Sequence, residues 1–250
     1  MAQRAEQQER SAGVSEYVLM SRDSAVIIFA RAPIPGQTKT RLIAALGASG
    51  AADLYRCFLF DILGQAEKIA AAVSVAAAEP EQRDALEAIV TQVCPRAAVT
   101  VQSGRDLGER MSAAFDEAFR RGHPSALILG TDLPSLPFER IDRALSLLRD
   151  RQLVLGPCLD GGYYLIGLRS PAPQLFQHID WGSSSVLVDT LMRAQSLSLS
   201  VSLLDPWFDV DIPQDLVVLR SYLHALSLAG ELLPCPRTWR YLQEHLPETQ

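Results

Sequence analysis

The sequence has 250 residues, a hydrophobic content of 48% and a formal net charge of −6 at pH 7. This length and apolar content suffice for one substantial core, and the acidic balance disfavours a nucleic-acid partner unless a local basic patch outweighs it. No apolar run approaches the roughly 20 residues of a membrane span, and the polar start of the chain lacks the apolar segment of a signal peptide. We therefore expect a cytoplasmic protein without a membrane span.

Strands and helices are predicted to alternate after a polar leader at residues 1–23, which we expect to be disordered. In chain order the sequence predicts a strand at 25–30, a helix at 40–68 interrupted near 47–50, a strand at 71–77, a helix at 81–90, a strand at 98–101, a helix at 107–121, a strand at 126–129, a helix at 137–150, strands at 153–155 and 162–168, a helix at 184–194, a strand at 197–203 and a helix at 213–228. This alternation predicts an α/β fold with three α/β/α layers around a Rossmann-like, mostly parallel mixed sheet. Residues 24–228 should form one domain, followed by a C-terminal extension at 229–250.

The loop RAPIPGQTKTRL (31–42), directly after the first strand, concentrates turn-forming and basic residues. In open α/β sheets, ligands bind beyond the carboxyl ends of the strands, where this loop lies. Arginine forks onto phosphate oxygens, lysine supplies a compact charge, and a threonine-capped helix start leaves amides facing an anion. The residues predicted to form this phosphate site are Arg31, Gly36, Thr38, Lys39, Thr40 and Arg41. A solvated basic loop is the alternative, and the loop is not a Walker motif, because glycine does not directly precede the lysine.

Carboxylates follow two further strands. Asp132 comes after a buried strand, where a carboxylate is costly unless it binds a cation or hydrogen-bond donors, although helix capping would explain it taken alone. Asp209 and Asp211 point to the same side by strand alternation just before a helix, whereas Asp215 fits a first-turn charge. Together with the basic loop, these aspartates predict Mg²⁺ bridging carboxylates and nucleotide phosphates, with the choice between Asp209 and Asp211 left open.

The stretch GPCLDGGYY (156–164) is the remaining unusual segment. Gly161 and Gly162 permit a close backbone approach to a ligand, and Tyr163 and Tyr164 offer flat faces with hydroxyl tips. An Asp-Gly turn between two strands explains part of the pattern.

Six motifs occur in order along residues 24–228. They are P-x-P-G-x-x-K-T-R-L (33–42), D-L-G-E-R-M (106–111), G-T-D-L-P (130–134), G-P-x-x-D-G-G-Y-Y-L-I-G-L (156–168), W-x-S-S (181–184) and D-V-D-x-P-x-D-L (209–216). As a set they resemble the nucleotide-diphospho-sugar transferase superfamily of GT-A fold. Within it the chain is most similar to the bacterial "transferase 1" group, which is related to 2-phospho-lactate guanylyltransferase and to the molybdenum-cofactor guanylyltransferases.

The resemblance implies that Lys39 and Arg41 grip the phosphates of a nucleotide and that Asp132 and Asp211 bind magnesium. It implies catalytic roles for Lys39, Arg41 and Asp132. The further nucleotide contacts that it implies, near the base, are Gln102, Leu107 and Gly108. The acceptor contacts that it implies are Asp160, Gly161, Gly162, Tyr163 and Trp181.

Two reactions fit these expectations. In nucleotidyl transfer, a small hydroxyl or phosphate acceptor attacks the α-phosphorus of a nucleoside triphosphate and pyrophosphate leaves. In glycosyl transfer, a sugar moves from a nucleotide diphosphate, but GT-A glycosyltransferases usually place D-x-D after the central strand, whereas here Leu133 and Pro134 follow Asp132. This departure, together with the basic loop after the first strand, favours nucleotidyl transfer. A nucleotide-binding module without catalysis is a third hypothesis, and the base, the acceptor and the oligomeric state stay open.

Overall fold

The computed structural model describes residues 23–246, so the predicted disordered leader lies outside the described residues except for its last position. The strands are β1 Ala25–Ala30, β2 Ala72–Ala77, β3 Ala98–Val101, β4 Ala126–Leu129, β5 Leu153–Pro157, β6 Tyr163–Leu168 and β7 Val201–Leu203. The α-helices are α1 Ile43–Ala66, α2 Arg83–Val93, α3 Leu107–Arg120, α4 Glu139–Leu147, α5 Val186–Ser196, α6 Pro213–Leu228 and α7 Pro236–His245. Short 3₁₀ helices cover Thr40–Leu42, Pro80–Gln82 and Pro173–Phe176.

The strands form one sheet in the order β3-β2-β1-β4-β6-β5-β7. Only β6 runs antiparallel to its neighbours β4 and β5, and the remaining pairs are parallel. In the centre, Ile28 of β1 pairs with Val75 on one side and Leu129 on the other, and all three are buried. Such continuous apolar strands suit a sheet covered on both faces. The predicted mostly parallel mixed sheet is confirmed.

Helices cover both faces of the sheet and complete three layers. On one face, a large core joins α1, α2, α4, α6 and α7 to the sheet, with Phe58 and Leu54 of α1 fully buried. On the other face, a smaller core is built around Phe115 of α3, which stacks on Phe176 at a ring-centroid distance of 5.9 Å. The predicted α/β/α layering is therefore confirmed.

Two differences from the predicted elements have identifiable physical causes. The strand predicted at 197–203 is shortened to β7, because Ser198 adopts a left-handed φ of 54° and the amide of Leu199 closes the end of α5. Helix α7 was not predicted at all. It begins where the buried carboxylate of Asp61 accepts hydrogen bonds from the amides of Arg237 and Thr238, and it packs on α1.

The helical segment Thr40–Ala66 has the length and mean hydropathy of a membrane span, which the sequence prediction did not register. It is bent at Gly47, whose φ of 73° interrupts the helix as predicted. Core helices of soluble proteins pass the same test of length and composition, and the buried residues of this segment pack into the larger core. The segment is therefore weak evidence for a membrane.

Candidate active site

A cavity of about 1040 Å³ opens at the carboxyl ends of the parallel strands. The predicted site residues that line it are Arg31, Thr38, Lys39, Thr40, Arg41, Gln102, Leu107, Asp132, Asp160, Gly162, Tyr163, Tyr164, Trp181, Asp209 and Asp211. Gly36, Gly108 and Gly161, which were also predicted to contact ligands, lie outside this lining. The fold thus brings most of the predicted residues together, and their chemical roles stay predictions.

The loop after β1 is held by a buried hydroxyl. Thr38 is 3% exposed, and its hydroxyl donates to the carbonyl of Ala32 at 2.6 Å. The 3₁₀ helix that follows has no side-chain cap. The prediction that Thr38 and Thr40 cap a helix here is therefore wrong, because Thr38 turns inward to a carbonyl of its own loop.

Lys39 lies between two aspartates instead of projecting into open solvent. Its ammonium is 2.6 Å from Asp132 Oδ1, 2.6 Å from Asp211 Oδ1 and 2.7 Å from the carbonyl oxygen of Val210. Burial opposes the charge of this ammonium, but the two carboxylates outweigh burial and raise the pKa of Lys39 above its usual range. The lysine is thus a stable cation that joins the end of β4 to the loop after β7.

The arginines of the cavity fall into two kinds. Arg110 donates to the carbonyl oxygens of Ala78 and Gly104, and Arg105 pairs with Glu109, so these two guanidinium groups are already engaged. Arg31 and Arg41 are exposed, and neither side chain forms a hydrogen bond or an ion pair within residues 23–246. The latter two are therefore available to an anion.

Charge is divided between the two halves of the cavity. Among the described residues, every lysine and arginine of the lining follows β1 or β3. The carboxylates of the opposite half follow β4, β5 and β7, and they are Asp132, Asp160, Asp209 and Asp211. Asp106 is the one acidic residue on the basic half, and its carboxylate is used to cap α3 by accepting from the amide of Glu109 at 2.8 Å. A ligand in the cavity therefore meets cations at one end and carboxylates at the other.

Asp209 experiences the excess of negative charge most strongly. Burial, and then repulsion by Asp211, Asp160 and Asp132, raise the pKa of Asp209 to about 6. The carboxylates of Asp209 and Asp160 and the thiol of Cys158 also lie within 4.8 Å of one another, close enough to share a cation.

The structure tests the helix-end roles considered for two nearby aspartates, Asp132 and Asp215. Asp132 does not cap α4, which begins at Glu139 with Phe138 in the capping position. Asp215 accepts hydrogen bonds from the amides of Asp211 and Ile212, each at 2.8 Å, so its prediction as a first-turn charge is confirmed.

The turn between β5 and β6 is an Asp-Gly turn, in which Asp160 accepts from the amide of Gly162 at 2.8 Å. Gly161 has a φ of +97°, and a Cβ there would lie 2.2 Å from the carbonyl oxygen of Ser184. The close approach predicted at this glycine is therefore to the chain's own backbone. Gly108 plays a similar part, because a Cβ there would lie 2.7 Å from the indole nitrogen of Trp181.

Sequence reasoning missed two side chains that support the cavity wall: Tyr55, which lines the cavity, and Arg140, which lies outside the lining and donates to the hydroxyl of the lining residue Tyr164 at 3.4 Å. The hydroxyl of Tyr55 accepts from the amide of Arg31 at 3.1 Å and bonds Thr131 at 2.6 Å, and burial raises the pKa of Tyr55 to about 12. Arg140 lies 4.5 Å from the ring of Trp207 and donates to the carbonyl oxygen of Asp205. Both lie within helices whose apolar spacing marked them only as core or surface, so no sequence signal indicated them.

Comparison with known proteins places the chain in a family. A family model described as an uncharacterized protein conserved in bacteria (DUF2064) matches residues 62–183. A solved structure from Desulfovibrio desulfuricans G20, provisionally named a nucleotide-diphospho-sugar transferase, is 34% identical with a TM-score of 0.80, over 89% of this chain and 94% of that one. The chain belongs to the nucleotide-diphospho-sugar transferase superfamily. This member of the superfamily is accordingly a transferase of Rossmann-like α/β fold.

Two other known proteins resemble the chain less closely. The phosphoenolpyruvate guanylyltransferase of Sphaerobacter thermophilus is 30% identical over 131 residues, which is 49% of this chain and only 59% of the relative's length. The 4-diphosphocytidyl-2C-methyl-D-erythritol synthase of Anaerococcus prevotii is 11% identical with a TM-score of 0.55, over 82% of this chain and 99% of that one. At that identity the second likeness shows the fold alone.

Proposed function

We propose that this protein is a Mg²⁺-dependent nucleotidyltransferase. A small acceptor attacks the α-phosphorus of a nucleoside triphosphate through a hydroxyl or phosphate oxygen. The new oxygen–phosphorus bond replaces the bond between the α-phosphorus and its bridging oxygen, and pyrophosphate leaves with that oxygen. The proton of a hydroxyl acceptor passes to solvent or to a nearby carboxylate.

The observation that carries the proposal is the charge division of the cavity, with Arg31 and Arg41 unpaired on the basic half. A triphosphate carries more negative charge than a nucleotide-sugar and needs more cations to hold it. Guanidinium groups bind phosphate oxygens through paired, charge-assisted hydrogen bonds. Two free arginines beside a buried lysine therefore suit a triphosphate better than a nucleotide-diphospho-sugar.

The opposite half has the chemistry of a magnesium site. Mg²⁺ is held by oxygen ligands, mainly carboxylates and phosphates. Asp132, Asp209 and Asp211 supply such oxygens. Burial and then repulsion by the neighbouring carboxylates raise the pKa of Asp209 to about 6, and a bound cation would offset both effects. Burial and then the carboxylates of Asp209 and Asp160 raise the pKa of Cys158 to about 12, and Mg²⁺ prefers oxygen to sulfur ligands, so we assign the metal to the aspartates. When bound, Mg²⁺ would neutralise charge that develops on the phosphates.

The remaining roles follow from position in the cavity. We assign the base to the segment 102–108, next to Gln102, whose amide nitrogen is already fixed to the carbonyl of Ala76 at 2.9 Å. We assign the acceptor to the side formed by Asp160, Gly162 and Trp181. The guanylyltransferase relative suggests guanosine triphosphate and phosphoenolpyruvate as the first donor and acceptor to try.

The test is thermal unfolding with each nucleoside triphosphate and each nucleotide-sugar in the presence of Mg²⁺, followed by a pyrophosphate-release assay with candidate acceptors. A ligand at 100 times its Kd stabilises the folded state by about 2.7 kcal/mol, which for a chain of this size raises Tm by about 5–10 °C. We expect the largest shift with a triphosphate. A nucleotide-sugar that stabilises the protein well beyond every triphosphate would instead identify a glycosyltransferase.

The Arg41→Ala variant provides the matched control. It should weaken triphosphate binding by about 1.5–3 kcal/mol, the value of a hydrogen bond to a charged group, and leave nucleoside binding unchanged. Equal losses of binding free energy for both ligands would mean that the substitution disrupts the loop and that Arg41 does not bind phosphate directly.

A further inference from the structure

The donors of the Lys39 ammonium are all engaged in the structure. An ammonium has three N–H donors, and three oxygens, from Asp132, Asp211 and Val210, lie 2.6–2.7 Å from this one. Its side chain is 5% exposed. A phosphate that entered the cavity would find no free donor on Lys39, in contrast to the expectation that this lysine grips phosphate directly.

The position of this ammonium is that of a shared cation. Asp132 and Asp211 each contribute one oxygen to it, and their remaining surface is exposed, with side-chain exposures of 46% and 37%. These are two of the three carboxylates assigned above to magnesium. A divalent cation and an ammonium repel each other at such distances, so the two cations compete for the same pair of oxygens.

The chain places a lysine here at a conformational cost. Lys39 adopts a left-handed backbone, with φ 50° and ψ 45°, a region that residues other than glycine rarely occupy. The chain also has only two lysines, Lys39 and Lys68, against 21 arginines. An ammonium is a compact charge that points its donors in three directions, whereas the planar guanidinium is suited to two parallel hydrogen bonds. A compact cation therefore suits the three oxygens around this position better than a planar guanidinium would.

We propose that Lys39 is the cation that a divalent metal replaces in this site, and that it moves to the phosphates when the nucleotide enters. The proposal rests on the nucleotidyltransferase function above and adds that metal and triphosphate bind cooperatively. Free metal binds poorly, because it must displace a buried ammonium that has nowhere to go. Metal and triphosphate bind well together, because the phosphates accept the displaced lysine.

The first test needs no nucleotide. Binding of free Mn²⁺, used as a spectroscopic substitute for Mg²⁺, is measured by electron paramagnetic resonance for the wild type and for Lys39→Met. We expect the variant to bind Mn²⁺ at least about tenfold more tightly, within the range usual for coupled sites. Arg41→Met, which removes a charge from the same loop but no contact to either aspartate, should change the affinity much less. Equal or weaker Mn²⁺ binding by Lys39→Met would overturn the proposal.

The second test follows Lys39 itself and does not depend on the folding of a Lys39 variant. Lys68 is exposed, so Lys68→Arg leaves Lys39 as the single lysine in a chain with an intact site. With ¹⁵N-labelled lysine, the ammonium of Lys39 then gives one resonance. We expect that resonance to stay in place with Mg²⁺ alone and to move when Mg²⁺ and a triphosphate are added together. An unchanged resonance in a complex that thermal unfolding shows to have formed would overturn the proposal.

The two tests separate this inference from the proposed function. If no triphosphate binds at all, the nucleotidyltransferase function fails, while the Mn²⁺ comparison still decides whether Lys39 and metal compete. If triphosphate binds and pyrophosphate is released but Mn²⁺ affinity does not rise in Lys39→Met, the function stands and Lys39 is a fixed structural cation.

Discussion

The substitution Asp209→Asn should stabilise the metal-free protein in a pH-dependent way. The pKa of Asp209 is raised from 3.8 to about 6, so the folded state holds this proton more tightly than the unfolded state. The free energy of unfolding should therefore fall as pH rises from about 4 to about 6. Each pKa unit corresponds to about 1.4 kcal/mol for a fully buried group. Since Asp209 is partly exposed and solvent screens its charge, we expect the free energy of unfolding to fall by about 1–2 kcal/mol in total. Asparagine carries no charge at any of these pH values, so the variant should keep this stability above pH 6.

The measurement is thermal unfolding of both proteins in a chelating buffer between pH 4 and pH 8. The difference in Tm should be near zero at the acidic end and should favour the variant by about 2–8 °C at pH 8, since each kcal/mol corresponds to about 2–4 °C. Asp205→Asn is the control, because that side chain is 91% exposed and should give no pH-dependent difference. A gain that is equal at both ends of the pH range, or a loss at pH 8, would refute the electrostatic reasoning.

Two further substitutions test how the cavity wall is held. Arg140→Ala should lower the free energy of unfolding by about 2–3 kcal/mol, because a charged hydrogen-bond donor and its contact with Trp207 are lost together. Arg143 is exposed, so Arg143→Ala should leave the free energy of unfolding, measured by chemical denaturation, unchanged. Equal losses in the two variants would contradict a supporting role for Arg140. Gly161→Ala should cost about 2 kcal/mol or more, since its Cβ would lie 2.2 Å from a backbone oxygen and its φ is +97°. Gly130→Ala, with no atom within 4 Å of the added Cβ, is the matched control, and a stable Gly161→Ala protein would show that the turn can relax.

The core of the fold could be predicted because its signals are local. Strands such as Ala25–Ala30 and Ala126–Leu129 are short apolar runs bounded by turn residues, and this pattern alone predicts buried strands of a parallel sheet. Helix α7 could not be found in this way, since its sequence PRTWRYLQEH is mainly polar. Its first turn is stabilised by Asp61, 177 residues earlier in the chain than Thr238. A helix that depends on so distant a cap leaves little trace in its own sequence.

The sequence predicted most of the residues that line the cavity, but it did not predict which charged side chains pair with one another. Residues that follow the carboxyl ends of strands were expected at one edge, and most of them line one cavity. The partners of Lys39 were not predictable, because Asp211 lies 172 residues away and the direction of the lysine depends on its left-handed φ. Sequence spacing indicates which residues reach the edge of a sheet. It does not indicate which charges will neutralise one another there.

Departures from ordinary local rules collect around this cavity. Lys39 adopts a left-handed backbone, burial and then acidic neighbours raise the pKa of Asp209 to about 6, and Gly161 has a φ of +97° beside a backbone carbonyl oxygen. Each departure costs stability in the ligand-free protein. A divalent cation would relieve the repulsion at Asp209, and phosphates would receive Lys39, so the two ligands together remove costs that neither removes alone. The joint stabilisation by metal and triphosphate should therefore exceed the sum of the separate effects, and simple additivity of the two Tm shifts would mean that the carboxylates and the lysine do not form one site.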